Sequence, residues 1–308
     1  MAKLKAPAGF YDPRNDSLAL RLHDLNLSRK PWNPVRTNYF SIYWIDSGSG
    51  TFWADASEHA FGSGCLLFFV PYQRIRFASA SQVRGEVIQF HANFLCVETF
   101  HAEVGCSSVL FNDTYGVPAV VVDDRARREV SDLIGRLKQE EAERGLAYNE
   151  VLLACLKMLL ILATRLKART SQTSRTSVAD PRHPVVGQIR ELIEENYTSL
   201  HAPADYAAFL HMTPKTLGRI VREHLGKTLT DLIQERILTH AKWDLLHTLK
   251  PVKEVAREVG FRDELYFSRF FKKATGVSPK FFREFETEIR DGSNLSMLSA
   301  QAPILQVS

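Results

Sequence analysis

Cysteine is scarce in this chain. Cys65, Cys96, Cys106 and Cys155 are its four cysteines among 308 residues, far apart and with no CxxC spacing. That excludes a zinc knuckle and a disulfide framework, and free thiols in a reducing compartment are expected. Long apolar runs are missing too: the most apolar stretch, residues 151 to 163, is too short to span a bilayer and holds Lys157, so a buried helix is expected there. The amino terminus, MAKLKAPAGFYDPRNDS, has no continuous apolar core of the kind a signal peptide needs. A cytoplasmic protein without membrane association is therefore expected. Neither sign of charge dominates. A formal net charge of +4 is weak evidence for a polyanionic partner, so what matters is where the basic groups sit.

The chain is long enough for two domains with separate cores. Its most informative stretch is residues 252 to 284, VKEVAREVGFRDELYFSRFFKKATGVSPKFFRE. Val252, Val255, Ala256 and Val259 have helical spacing and run into Gly260, a residue suited to the left-handed close of a helix. Asp263 can then cap a second helix whose inner stripe is Phe267, Phe270 and Phe271, leaving Arg262, Arg269, Lys272 and Lys273 outside. Gly276 stops it, and Ser278-Pro279 opens a third helix carrying Phe281, Phe282 and Phe285. Two short helices on a tight turn, the second basic outside, is how a helix-turn-helix offers a recognition helix to the DNA major groove.

The pattern occurs twice. After an amphipathic helix over 185 to 197, with Val186, Ile189, Ile193 and Tyr197 on one face, Asp205 to Leu210 leads through a turn at His211-Met212 to Thr213-Pro214. There Leu217, Ile220 and Val221 face inward, Lys215, Arg219 and Arg222 face outward, and Gly226 ends the helix. Arg219 and Gly226 fall on Arg269 and Gly276 at an offset of 50, while Ala207 and Met212 fall on Ala256 and Phe261 at 49, so the second turn is one residue longer. Between the copies, residues 229 to 246 keep Leu229, Leu232, Ile233, Ile237, Ala241 and Leu245 on one side. That predicts a single connector helix roughly 27 Å long, close to the roughly 34 Å repeat that separates successive major grooves.

Ala256, Gly260-Phe261, Asp263, Tyr266-Phe267, Arg269, Lys272-Lys273, Gly276, Ser278-Pro279 and Phe282-Arg283 together resemble the signature of the AraC/XylS family of transcription regulators. The resemblance implies a double helix-turn-helix that binds promoter DNA, with RNA polymerase as a further partner and activation as the usual outcome. The residues expected at DNA are Lys215, Thr216, Arg219 and Arg222 on the first recognition helix and Arg262, Glu264, Ser268, Arg269 and Lys272 on the second. Gly218 and Leu265 depart from the polar side chains common at those places in relatives, and Leu265 suits a thymine methyl instead. An ordinary helical bundle with a solvated basic face is the plain alternative.

The first half shows strand signals at close spacing. These are 39 to 45, 51 to 53 after the Gly48-Ser49-Gly50 turn, 65 to 70 before Pro71, 75 to 78, 83 to 91 and 119 to 122. They predict an all-β barrel or sandwich, preceded by an arm up to about Pro34. The family resemblance implies a cupin-like barrel that binds a small-molecule effector. Arg36, Tyr43, Trp44, Trp53 and Arg74 are residue types suited to such a pocket, the alternative being core aromatics and solvated arginines. A metal-dependent cupin enzyme fused to a DNA-binding module is the rival reading. It would need a His-x-His pair with a carboxylate and a later His, whereas His59, His91 and His101 stand isolated. No metal, cofactor or catalytic residue is expected.

Helical periodicity begins near Asp124, with Val130, Leu133, Ile134 and Leu137 inside and Arg128, Asp132, Lys138 and Glu140 outside. A second helix, from about Tyr148 to Lys167, is apolar on most of its circumference and so is buried on more than one side. The resemblance implies that this pair makes a homodimer, while a second layer of the domain core remains open. The expected division is a barrel with its arm over 1–123, the helical pair over 124–169, a linker over 170–184, the DNA-binding domain over 185–290 and a tail over 291–308.

Overall fold

The computed structural model describes residues 6–79, 81–95, 110–111, 115–176 and 184–290. Cys96, His101, Cys106 and the expected tail lie outside them. The chain divides into two compact units, one within Ala8–Arg182 and one within His183–Ser308.

Among the described residues the first unit has eight strands, β1 (Leu20–Leu27), β2 (Phe40–Ser47), β3 (Gly50–Ala54), β4 (Ser57–Phe61), β5 (Cys65–Phe69), β6 (Ile75–Ser79), β7 (Val83–Phe90) and β8 (Ala119–Val121). They form one five-stranded sheet, β1-β7-β2-β5-β8, and one three-stranded sheet, β4-β3-β6. All the strand pairings are antiparallel. Among the described residues these are two sheets, not one closed hydrogen-bonded ring. Their shared interior is aromatic, with Tyr43, Phe52, Phe61, Phe69 and Phe77 buried together. The uninterrupted apolar run of β5 reflects burial on both faces: Leu67 and Phe69 enter this core, while Leu66 and Phe68 enter a second core shared with the helices.

Two strands depart from the expectation. β1 lies in the expected arm, yet it pairs with β7 along its whole length, from Leu20 opposite Phe90 to Leu27 opposite Val83. β4 was not anticipated and flanks β3. Both are edge strands, and their exposed positions carry Asp24, Asn26, Glu58 and other polar groups that dilute a strand pattern.

Helix α1 (Asp124–Glu143) opens with the Asp123 carboxylate accepting from the Ala126 N–H and buries Val130, Leu133, Ile134 and Leu137 as expected. Glu140 was expected outside but is buried, its carboxylate 2.6 Å from Arg136. Helix α2 (Tyr148–Thr176) continues into the stretch expected as a linker. Once a helix is nucleated, adding a residue costs little even for serine and threonine. Residues 177–183 of that stretch lie outside the described residues.

Among the described residues the second unit is helical, comprising α3 (Pro184–Asn196), α4 (Pro203–Phe209), α5 (Pro214–Leu225), α6 (Leu229–His247), α7 (Val252–Glu258), α8 (Glu264–Thr275) and α9 (Pro279–Ile289). α3 buries Val186, Ile189 and Ile193 against α5 and α6. All six apolar residues expected on the inner side of α6 are buried, joined by the polar Asp244 and His247.

Candidate nucleic-acid interface

The two helix-turn-helix units share a frame. In the first, the left-handed residue of the turn is His211 (φ 52), and Met212 N–H donates to Ala207 O at 2.9 Å. In the second it is Gly260 (φ 89), and Phe261 N–H donates to Ala256 O at 2.8 Å. Arg262 is the extra residue of the second turn. Each following helix is 12 residues long and ends on a left-handed glycine, Gly226 or Gly276. Thr213 caps α5 by accepting from the Thr216 N–H, and Asp263 caps α8 by accepting from the Leu265 N–H. The helices that follow start under Thr228, which forms a capping box with Asp231, and under Ser278.

Gly260 is required twice over. Its φ lies in the left-handed region, and a Cβ there would stand 2.1 Å from Thr198 O and 2.6 Å from His201 Nε2. The segment between α3 and α4 thus rests on the turn of the second unit. His201 also lies against the Phe261 ring, with centroids 5.5 Å apart.

With Leu217, Ile220 and Val221 buried in α5 and Phe267 and Phe271 in α8, the opposite faces are left to solvent. Lys215, Arg219 and Arg222 are exposed on the first, and Arg262, Glu264, Arg269 and Lys272 on the second. Thr216 and Ser268 are half-buried at the edges of these faces, and the Thr216 hydroxyl is 2.9 Å from that of Thr213. Arg219 is held by Glu223, 3.2 Å away on the next turn. Two further residues stand out on α8: Leu265 is 71% exposed and Tyr266 61%. Leu265 was expected there as an apolar contact; the exposure of Tyr266 was not expected, because apolar periodicity points only to buried stripes.

Behind the second unit a polar cluster ties α6 to its neighbours. Asp244 is buried on α6, 3.3 Å from His240 Nε2, and His240 Nδ1 meets the Tyr197 hydroxyl at 2.9 Å. Lys250 Nζ donates to Glu258 at 2.7 Å. Burial, reinforced by Glu258, raises the pKa of Asp244, whereas the Lys250 hydrogen bond lowers that of Glu258. Arg283 on α9 donates to Leu245 O at 3.1 Å, closing the last turn of α6. Arg236 adds a bond to Glu194 at 2.7 Å and lies 4.2 Å over the Tyr197 ring, fixing α3 to α6.

In the first unit the three aromatics proposed for an effector pocket do not converge, because strand alternation sends neighbours to opposite faces, whereas Arg36 and Arg74 lie near each other. Tyr43 is buried between the sheets, where burial pushes its hydroxyl pKa upward. Trp44, the next residue, faces the helices. Trp53 points away from the interior that Phe52 enters and lies under Arg76, 4.6 Å from the guanidinium. Arg36 is near Asp55 and Arg74; burial lowers its pKa most, Asp55 opposes that and Arg74 adds to it. A cavity of about 420 Å³ lies elsewhere, lined by Tyr11, Leu20, Phe94, Glu141, Arg144 and Tyr148 among others. It adjoins the α1–α2 turn, where Arg144 (φ 46) and Ala147 (φ 58) are both left-handed. Of the isolated histidines, His91 stacks on Tyr11 with centroids 4.4 Å apart, and His59 lies 5.2 Å from the Phe52 ring.

Two units of one frame, each showing a basic recognition helix, define a helix-turn-helix DNA-binding transcription regulator. Residues 206–284 match the model of a helix-turn-helix domain family. The chain is 27% identical to the arabinose operon regulatory protein of Escherichia coli (strain K12), over 81% of this chain and 87% of that one. It is 30% identical to the protein of the same name from Salmonella typhimurium, over 52% of this chain and 55% of that protein. It is 24% identical to the transcriptional activator RhaR of Enterobacter sp., over 55% of this chain and 58% of that one. Among solved structures, the C-terminal domain of the response regulator AraT from Geobacillus stearothermophilus is similar at 33% identity and a TM-score of 0.32, covering 35% of this chain and 88% of that one. ToxT from Vibrio cholerae is similar at 15% identity and a TM-score of 0.35, covering 87% of this chain and 99% of that one. The chain is thus similar to AraC-type transcription regulators.

Proposed function

We propose that this chain regulates transcription by reading promoter DNA through Lys215, Thr216, Arg219 and Arg222 of the first unit and Arg262, Glu264, Ser268, Arg269 and Lys272 of the second. The observation that carries this is the repeated frame: two exposed basic faces at matching positions, joined by the 19 residues of α6. At about 1.5 Å per residue that helix is about 28 Å long, the scale of one turn of B-DNA. Arginine suits guanine O6 and N7, and lysine and serine suit phosphate.

In this reading the first unit binds a small organic effector, and the protein is a cytoplasmic activator, not an enzyme, with RNA polymerase as its partner. The cavity beside the α1–α2 turn supports an effector site because it joins apolar walls to Glu141 and Arg144. A homodimer is supported by α2, whose exposed Ala154 and Met158 lie beside the partly buried Val151, Ile161 and Leu162.

Selecting bound fragments from random duplex DNA, with and without candidate metabolites, tests the reading. A shared motif with two elements about one helical turn apart is the expected result, and a metabolite should change the affinity. Equal affinity for every duplex would overturn sequence-specific regulation.

A further inference from the structure

The common frame allows the two recognition helices to be compared position by position. At an offset of 50, the outer stripe of α5 is Lys215, Arg219, Arg222 and Glu223, and that of α8 is Leu265, Arg269, Lys272 and Lys273. The central arginine is the same in both. One turn earlier, at the amino-terminal end of the helix, the first unit has a lysine and the second a leucine.

A single exposed leucine is unremarkable on a protein surface. Leu265 is informative because of its place. It is 71% exposed on an otherwise charged stripe, one turn before an arginine, at the end of the recognition helix that meets base edges. The major groove offers one apolar group to such a side chain, the C5-methyl of thymine. The neighbouring arginines differ as well. Arg219 is bonded to Glu223, whereas Lys273 stands where Glu223 does, so the second helix offers Arg269 no carboxylate at that position. Residues four apart on a helix are separated by about 6 Å along its axis, which is about two base steps at 3.4 Å.

We propose that Leu265 is a specificity-determining residue that reads a thymine methyl within two base pairs of the guanine read by Arg269, and that the first unit, with Lys215 at the matching position, lacks this preference. The proposal rests on the DNA-binding reading above.

The test uses the full-length protein and its selected site. The half met by the second unit is located as the base pair whose preference relaxes in Arg269→Ala. Each thymine within two base pairs is then replaced by deoxyuridine, which removes only the methyl. Burying one methyl group corresponds to about a fourfold change in affinity. Wild type should lose about that much at one such thymine, Leu265→Ala should bind the two versions equally, and Lys215→Leu should gain a thymine preference in the other half. Melting curves of the variants show that they are folded. Wild type that ignores the methyl throughout that half, or Leu265→Ala that keeps the discrimination, would overturn the inference alone. Failure to select any site would overturn the DNA-binding reading, and this inference with it.

Discussion

Arg269 and Lys272 lie one turn apart on the same exposed stripe, yet the chemistry of their head groups assigns them different work. A guanidinium can bond guanine in two places at once, while an ammonium neutralises phosphate without reading sequence. Arg269→Ala should therefore cost about 1 to 3 kcal/mol on the selected site and relax one base pair. Lys272→Gln should weaken all duplexes alike and reduce the salt slope by about one, as measured by titrations across salt concentrations. Most of these side chains were legible in the sequence because helical spacing fixes which residues are inside, and what is left over must face out. Asp244 was not legible. A carboxylate on the inner side of α6 defies that pattern, and it is explained by His240 one turn earlier on the same helix together with Glu258 and Arg283, brought from α7 and α9.

At the scale of elements, the turn of the second unit is the least forgiving. Gly260→Ala would combine a left-handed backbone with a Cβ driven into Thr198 O. A loss above about 2 kcal/mol is expected in denaturant titrations, whereas His211→Gly in the first turn should be neutral or stabilising. The contact between α6 and α7 is expected to respond to pH in two opposing ways. Glu258 has a lowered pKa, so its contribution is present above about 4.5 and is lost as pH falls through its folded value. Asp244 has a raised pKa, so its contribution is complete below about 3.8 and is lost as pH rises through its folded value. Melting temperatures between pH 3 and 7 should fall less steeply on acidification in Glu258→Gln than in wild type, and more steeply in Asp244→Asn. The helices of this unit could be read because glycines, prolines and capping residues punctuate them. β1 and β4 could not, since an edge strand with polar outer residues needs its partner to be seen, and β1 finds its partner β7 more than 50 residues away.

For the whole molecule, the remaining question is assembly. If α2 pairs with a second copy through its exposed Ala154 and Met158, Met158→Glu places a charge in that seam. Sedimentation should then show monomers at concentrations where wild type is dimeric, with binding to a two-site operator weakened and binding to a single site unchanged. The sequence set out the helical pair but not what covers it, because an apolar face does not name its partner. The effector pocket was less legible still: residue types can nominate aromatics, but period-two alternation scattered Tyr43, Trp44 and Trp53 over three different surfaces.

The matching lengths and closures of α5 and α8 make each a removable cassette. Exchanging residues 214–225 with 264–275 keeps every cap and both closing glycines in register, and it leaves the additional Arg262 in place. Such a transplant should yield a folded protein whose preferred operator carries its two elements in reversed order.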